Sequence, residues 1–340
     1  MMLKYIEELS SLYGVSGNED AVREYIISVI DGKCEYNVDN LGNLIVFKKG
    51  KKTPKKKLMI AAHMDEVGFI ITYINSDGTL CFDTVGGVNA DVVAGRQIVL
   101  CKDGIRGVIG SKAVHNMSDS ERKEKVKVSK LCIDIGASSR EEAEKYVSTG
   151  DFASFAAKFT MLGNGRVCSK AIDDRAGCAI MLDMIENEIE YDTYFAFTVQ
   201  EEVGLRGATA AAFGVNPDFA IVLETTTASD ISAVSGAQRV CELGKGAVVS
   251  YMDRRTIYDK ALYELCFETA RENKIPCQTK TMVAGGNDSG AIHISGNGVR
   301  TLAISAPCRY LHSPACVADM SDIEACSKLV NLLIPRIFEL

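Results

Sequence analysis

The sequence predicts an α/β fold, in which a domain with a mainly parallel sheet holds a small inserted β-rich unit. From Asp173 onward, segments with helical periodicity alternate with short apolar runs that are typical of buried strands. Between Gly68 and Gly163, short β-branched or alternating runs are instead separated by turns. The apolar run at 58–62 has the character of the later buried strands, so we expect the β-rich unit to interrupt one domain.

The size and charge of the chain limit its function classes. Its 340 residues are 47% hydrophobic, which is enough to bury the cores of two domains. A net charge of -7 disfavours a general affinity for nucleic acid or for anionic membranes. The basic run Lys48–Lys57 would suit an anionic partner, but Gly50 and Pro54 favour a solvated loop between two strands.

The first sixty residues predict two helices and two strands. Leucine or isoleucine recurs at every third position from Leu3 to Leu12, which indicates an amphipathic helix rather than a signal peptide. Ser16 is the predicted N-cap of the second helix. Strands are predicted at 44–47 and 58–62, and the second is apolar throughout, as expected for a strand buried on both faces.

The inserted unit is assigned to 69–163, which leaves 1–68 and 164–340 to the α/β domain. One helix is predicted in the insertion, at Ser139–Val147. Its predicted strands lie at Phe69–Ile74, Ile98–Cys101 and Leu131–Ile135. Because so small a unit buries little surface by itself, we expect a second subunit to cover its strand edges and apolar faces.

The second half of the chain alternates helices and strands. Helices are predicted at 174–187, 205–213, 258–274 and 321–334. Strands are predicted at 193–199, 219–223, 247–251 and 300–305. No stretch is apolar over transmembrane length, and the twelve cysteines fall singly on apolar runs without a C-x-x-C pair. We therefore expect buried free thiols in a cytoplasmic protein rather than a disulfide framework.

Side chains of the types that bind metals follow the ends of several predicted strands. His63 and Asp65 come directly after the run at 58–62, and residues two apart on an extended segment point the same way. Asp65 is therefore placed to accept the second ring N–H of His63. The chain has only four histidines, which favours a mixed histidine and carboxylate site over a site of three histidines. Taken alone, the pair also fits an ordinary polar loop.

Adjacent carboxylates occur at two further junctions. Asp173 and Asp174 open a long apolar helix, where one aspartate would serve as an N-cap, but two aspartates followed by Arg175 exceed what capping requires. A carboxylate there could bridge two metal ions. Glu201 and Glu202 follow a strand, where one could bind metal while its neighbour acts as a general base.

Glu224 and His312 complete the candidate set. Each follows an apolar strand, and each alone could be an ordinary polar side chain of a loop. The carboxyl ends of parallel strands meet at one edge of a sheet, and ligand sites form there. We therefore expect these side chains to converge on one metal site.

Five motifs together are similar to those of a known family. They read HMDEVG from His63, AIDDRAG from Ala171, VQEEVG from Val199, GGNDSGAIH from Gly285 and RYLHSP from Arg309. In this order, and over nearly the whole chain, they resemble the dinuclear metallo-aminopeptidases that assemble as tetrahedral (TET) dodecamers, including the glutamyl and deblocking aminopeptidases. The resemblance implies a phosphorylase-like zinc-peptidase domain with an inserted, barrel-like β domain through which dimers form.

The resemblance also implies a role for each candidate residue. His63 and Glu224 would bind one metal ion, Glu202 and His312 would bind the other, and Asp173 would bridge the two. Asp65 would support His63, and Glu201 would be the general base. Each subunit would hold two divalent ions, zinc or cobalt, with manganese as a further option.

Two positions depart from the family pattern. Glu224 stands where members commonly have aspartate, and its longer side chain could change metal occupancy. Cys316 stands where a glutamate commonly follows the H-S-P segment, which leaves the contacts around His312 open.

The implied activity is hydrolysis of the first peptide bond of short peptides, within a homododecamer built from dimers. The alternatives are an amidohydrolase that removes acyl groups from amino acids or peptides, a glucanase, as some relatives are labelled, and a non-enzymatic binding protein. A glycosidase normally needs two carboxylates and no metal, so sensitivity to chelators would separate it. His115 of a neighbouring subunit could hold the substrate carbonyl, although a surface or packing role is the simpler interpretation.

Overall fold

The computed structural model describes residues 1–120 and 122–340, which form an α/β unit and a β-barrel. The strands are β1 (Glu35–Val38), β2 (Leu44–Lys48), β3 (Leu58–His63), β4 (Gly68–Ile74), β5 (Leu80–Val85), β6 (Gln97–Leu100), β7 (Arg106–Gly110), β8 (Cys132–Asp134), β9 (Phe152–Phe155), β10 (Thr160–Met161), β11 (Arg166–Ser169), β12 (Thr193–Thr198), β13 (Phe219–Thr227), β14 (Ala247–Val249), β15 (Cys277–Thr279), β16 (Arg300–Arg309) and β17 (Cys316–Asp319). The helices are α1 (Met2–Ser11), α2 (Asp20–Ile30), α3 (Ala90–Val93), α4 (Asp119–Lys123), α5 (Arg140–Ala143), α6 (Ile172–Glu186), α7 (Arg206–Val215), α8 (Lys260–Glu272), α9 (Ser289–Ile292) and α10 (Met320–Ile337).

The α/β unit is built on one mixed sheet with a parallel centre. Its strand order is β1-β2-β12-β3-β13-β16-β17-β11-β10, and β14 joins β16 to β15. The three central pairings, β12 with β3, β3 with β13 and β13 with β16, are all parallel. The outer strands β1, β2, β17, β11 and β10 pair antiparallel. The predicted α/β fold with a parallel sheet core is confirmed.

Strand β3 shows why the central strands are apolar throughout. All six of its residues are buried, because helices cover both faces of the sheet. Leu58, Ile60 and Ala62 pack in the core that α1, α2, α6 and α10 share. Met59 and Ala61 point to the opposite face and pack against α7 and α9. The sheet is therefore held rigidly between two apolar layers, and its carboxyl-end edge is a stable platform for polar groups.

The inserted unit is a closed barrel in the order β4-β5-β8-β7-β6-β9, with β9 returning to β4. Its core includes Phe69, whose ring meets Phe82 and Phe155 edge-on at centroid distances of 5.3 and 5.1 Å. Because the barrel closes on itself, its strand edges are paired within one chain. The strand edges therefore need no second subunit, and cover of the apolar faces by a second subunit stays a prediction.

Two local predictions fail for identifiable reasons. The helix expected at Ser139–Val147 is regular only over α5, after which hydrogen-bonded turns carry the chain to Val147 in the barrel core. Ser16 does not cap α2, which begins later with Glu19 as its N-cap. The Ser16 hydroxyl instead donates to Asp65, 2.6 Å away.

All twelve cysteines are free, and six of them are buried. In the described part of the chain, none of the helices combines the length and apolar character needed to cross a membrane.

Candidate metal centre

Six predicted side chains meet at the carboxyl-end edge of the parallel strands. The elements that position them are β3, α6, the turn after β12, the end of β13 and the turn between β16 and β17. They line one cavity of about 340 Å³: His63, Asp173, Glu201, Glu202, Glu224 and His312.

Asp173 lies between the two histidines. Its Oδ1 is 3.4 Å from Nε2 of His63, and its Oδ2 is 3.5 Å from Nε2 of His312. The His63 nitrogen also faces Glu224 at 3.5 Å, and the His312 nitrogen faces Glu202 at 3.3 Å. The residues thus form two sets of three potential ligands that share one aspartate.

These spacings suit ions bound between the side chains better than direct hydrogen bonds. A charge-assisted N–H···O bond is typically about 2.7–2.9 Å long. A tetrahedral ion with bonds of about 2.0–2.2 Å would hold its ligand atoms roughly 3.3–3.6 Å apart. The four distances fall at 3.3–3.5 Å. Imidazole nitrogens mixed with carboxylate oxygens are also the donors that zinc and similar divalent metals accept.

The electrostatics of the cluster favour additional positive charge. Burial raises the pKa of Glu224 to about 8, and Asp173 adds to this against the opposing effect of His63. Burial likewise raises the pKa of Glu201 well above its usual range. Burial acts to lower the pKa of His312, but the neighbouring carboxylates of Asp173 and Glu202 outweigh it and raise the pKa to about 12. Crowded buried carboxylates of this kind are stabilised by protons or by cations.

Glu201 occupies the position between the two sets. It forms a third group of potential ligand atoms with His63 and Glu202, within 4.8 Å of one another. Its carboxyl group therefore lies close to a member of each ligand set, which is where a general base would be needed.

Asp65 fixes the turn that carries Glu201 and Glu202. Its Oδ1 accepts from the Glu201 N–H at 3.0 Å, and its Oδ2 accepts from the Glu202 N–H at 3.1 Å and from Ser16. The Nδ1 of His63 lies 3.0 Å from the Asp65 backbone carbonyl and 3.4 Å from its carboxylate. Sequence spacing pointed to the contact with His63, but it gave no sign of the two backbone bonds.

The barrel contributes directly to the second ligand set. The Nδ1 of His312 lies 2.9 Å from the backbone carbonyl of Gly87, in the loop after β5. A Cβ atom on Gly87 would lie 3.2 Å from that nitrogen, and one on Gly86 would lie 3.3 Å from the Cβ of Glu202. Gly86 also has a positive φ of 83°. Sequence reasoning missed this loop, for which paired glycines were the only signal.

A buried ionic cluster lies next to the segments that carry His63 and Asp173. Lys170 donates to both carboxylate oxygens of Glu66 at 2.8 and 2.9 Å, and both side chains are almost fully buried. Arg175 is fully buried and donates to the carbonyls of Met64 and Leu9. These bonds tie α1, the segment after β3 and the start of α6 together. Arg175 therefore finds its hydrogen-bond partners outside the cavity, and its role is structural.

Two further predicted positions lie outside the ligand cluster. His115 is exposed in a 3₁₀ turn at Val114–Asn116 of the barrel unit, and it is not among the residues that line the described cavity. Cys316 is buried, and its Sγ lies 3.4 Å from the carbonyls of Tyr310 and Ser313. The thiol thus braces the turn that carries His312.

The chain is similar in sequence and structure to known peptidases. The family model described as M42 glutamyl aminopeptidase matches residues 42–329. A putative aminopeptidase of Acetivibrio thermocellus is 42% identical, over 97% of this chain and 97% of that protein. A TET aminopeptidase from a marine sediment archaeon of the Thaumarchaeota has a TM-score of 0.94 at 35% identity, over 99% of this chain and 96% of that chain. The TET1 peptidase of Pyrococcus horikoshii, described as assembling into a tetrahedron or a large octahedral shell, has a TM-score of 0.87 at 35% identity, over 98% and 99%.

Proposed function

The chain belongs to the M42 glutamyl aminopeptidase family, and from that premise we propose that it releases the N-terminal residue of short peptides with two divalent cations per subunit. The observation that supports the two-cation site is Asp173, which presents one oxygen to each histidine at 3.4 and 3.5 Å. In this proposal His63 and Glu224 hold one cation, Glu202 and His312 hold the other, and Asp173 bridges them. The donor set fits zinc or cobalt, with manganese as a further option.

The chemistry divides between the cations and the protein. The cations would supply Lewis-acid activation of the scissile carbonyl and of the attacking water. Glu201 takes the proton of that water and passes it to the leaving amine. Asp65 holds Glu201 and Glu202 in register through their backbone N–H groups. A glycosidase would use two carboxylates flanking a sugar bond, which does not account for the paired histidines.

We also propose that residues 69–163 form a dimerisation domain inserted between 1–68 and 164–340, and that dimers build a homododecamer in the cytoplasm. The support for assembly is the resemblance to TET1 of Pyrococcus horikoshii, which forms closed shells. The support for a reducing compartment is the set of twelve free cysteines. Inward-facing sites in a closed shell would restrict the substrates to short or unfolded peptides.

Metal removal and replacement test the proposed function. The protein, dialysed against chelator and checked for metal content, should lose hydrolysis of leucine p-nitroanilide and regain it with zinc, cobalt or manganese. His312→Ala should lower the metal bound per chain from about two ions to about one, whereas His293→Ala, outside the cavity lining, should retain both. Full activity in a verified metal-free sample would contradict the proposal. Hydrolysis of N-acylated substrates only would indicate the deacylase alternative, and hydrolysis of β-glucan the glucanase.

A further inference from the structure

The cavity extends beyond the ligand cluster to a wall of neutral side chains and one lysine. This wall is formed mainly by the end of β13 and by the segments that follow it and β15. Its polar members include Thr226, Ser229 and Gln238. Outside the ligand cluster, Lys280 is the only charged side chain among the described residues that line the cavity.

Lys280 places its ammonium group at this wall, where a backbone carbonyl accepts one of its hydrogen bonds. Its backbone N–H donates to Val249 at 3.1 Å, which extends the sheet past β15 and fixes where the side chain begins. Its Nζ donates to the carbonyl of Ala284 at 2.9 Å. In the described part of the chain this nitrogen forms no salt bridge within 4.0 Å, so two of the three ammonium donors remain for another acceptor.

The surroundings make the ammonium group costly without a counter-charge. The side chain is half-buried, and burial lowers the pKa of Lys280, against the opposing charges of Asp253 and Glu224. Asp253 is already engaged by the hydroxyl of Tyr258 and by the N–H groups of Arg255 and Thr256. Glu224 belongs to the ligand cluster. An anion that enters the cavity would therefore offset the desolvation of Lys280.

We infer that Lys280 binds a carboxylate of the peptide substrate. This inference rests on the proposed peptidase function and names the substrate class. Two carboxylates of a short peptide meet the requirement: the side chain of an N-terminal glutamate or aspartate, and the C-terminal carboxylate of a dipeptide or tripeptide. Gln238 and Ser229 add neutral hydrogen-bonding groups on the same wall. A substrate with an N-terminal lysine would bring like charge toward Lys280 and is disfavoured.

Paired substrates that differ only in one carboxylate distinguish the two sources. With metal-loaded protein, kcat/KM is measured for glutamate and glutamine p-nitroanilides and for leucyl-alanine and its C-terminal amide. The wild type should prefer the acid in at least one pair. Lys280→Met should lower that preference by about 10- to 100-fold, the scale of one charge-assisted hydrogen bond. Lys280→Arg should retain most of it, and Lys245→Met, at an exposed position, should leave it unchanged.

Two controls separate this inference from the proposed function. Metal content is measured for each variant, so that loss of the cations is not mistaken for loss of selectivity. Inhibition of the wild type by glutamate and glutamine, and by alanine and its amide, gives a second measure that needs no folded variant. If the wild type hydrolyses leucine p-nitroanilide but shows no preference for either acid, the role of Lys280 is overturned and the peptidase function stands. If no peptide or anilide is hydrolysed, the proposed function fails, and this inference fails with it.

Discussion

Replacing Asp65 by asparagine should loosen the turn that carries Glu201 and Glu202 while keeping the size of the side chain. The carboxylate accepts three hydrogen bonds, from Ser16 and from two backbone N–H groups, and the side chain is fully buried. An asparagine offers one oxygen, so whichever way its amide turns, one buried N–H faces an NH₂ group. Leaving that donor unpaired costs about 1–3 kcal/mol, and the surviving bonds lose their charge.

The expected loss is therefore about 2–4 kcal/mol in the free energy of unfolding, together with lower turnover. Burial acts to raise the pKa of Asp65, but His63, Ser16 and the Glu201 N–H outweigh it and lower the pKa. The stabilisation is thus fully present above an unfolded-state pKa of about 3.9 and is lost as pH falls through the lower folded-state value. Denaturant unfolding at pH 7 measures the full difference.

Two further variants make the assay specific. Ser16→Ala removes one bond but leaves both backbone N–H groups paired, so it should cost less than Asp65→Asn and keep more of the turnover. Asp103→Asn makes the same chemical change at an exposed position and should stay within about 0.5 kcal/mol of the wild type. The reasoning would be refuted if Asp65→Asn matched Asp103→Asn in unfolding free energy, or retained wild-type turnover with full metal content.

Four other outcomes are expected. Glu201→Gln should retain the bound metal but lower kcat by roughly 10²–10⁴-fold, and near-normal turnover would assign the general base elsewhere. Gly87→Ala should crowd the ring of His312 and weaken metal binding by about 10- to 100-fold in a metal titration, whereas Gly110→Ala, where the nearest atom is 3.9 Å away, should not. His115→Ala should leave kcat unchanged, and a lower kcat with intact metal and assembly would assign this exposed histidine to a neighbouring site. Light scattering should give about 440 kDa, twelve copies of the 36.8 kDa chain, and a monomer at micromolar concentration would contradict the proposed shell.

Much of the fold and the ligand cluster was predictable because both depend on local patterns. Apolar runs such as Leu58–Ala62 mark strands that are buried on both faces, and β3 and β13 both occur where such runs lie. The ligand-type residues stand at the ends of these strands, so parallel topology alone brings them to one edge. The convergence of His63, Glu224 and His312 therefore follows from strand order, whereas Asp173 is placed by the start of α6.

Contacts between segments distant in sequence were not predictable in the same way. Ser16 has the spacing of a helix N-cap, and its bond to Asp65, 49 positions away, depends on how α1 and α2 pack. Lys280 follows a three-residue strand and belongs to none of the five motifs. The pairing of β15 with β14 nevertheless places it at the cavity. A barrel was implied only by the family resemblance, because short β runs do not reveal whether the last strand returns to the first.

The hydrogen bond between Gly87 and His312 bears on the modularity of the molecule. An insertion that made no contact with the site could be removed, or exchanged between relatives, without changing the geometry of the site. Here the carbonyl of Gly87 belongs to the barrel unit, and His312, whose ring it meets, lies in the turn between β16 and β17 of the sheet. A chimera with a foreign barrel would therefore have to reproduce the position of one backbone oxygen to within a few tenths of an ångström. The two units form separate sheets, but the geometry of the site depends on both of them.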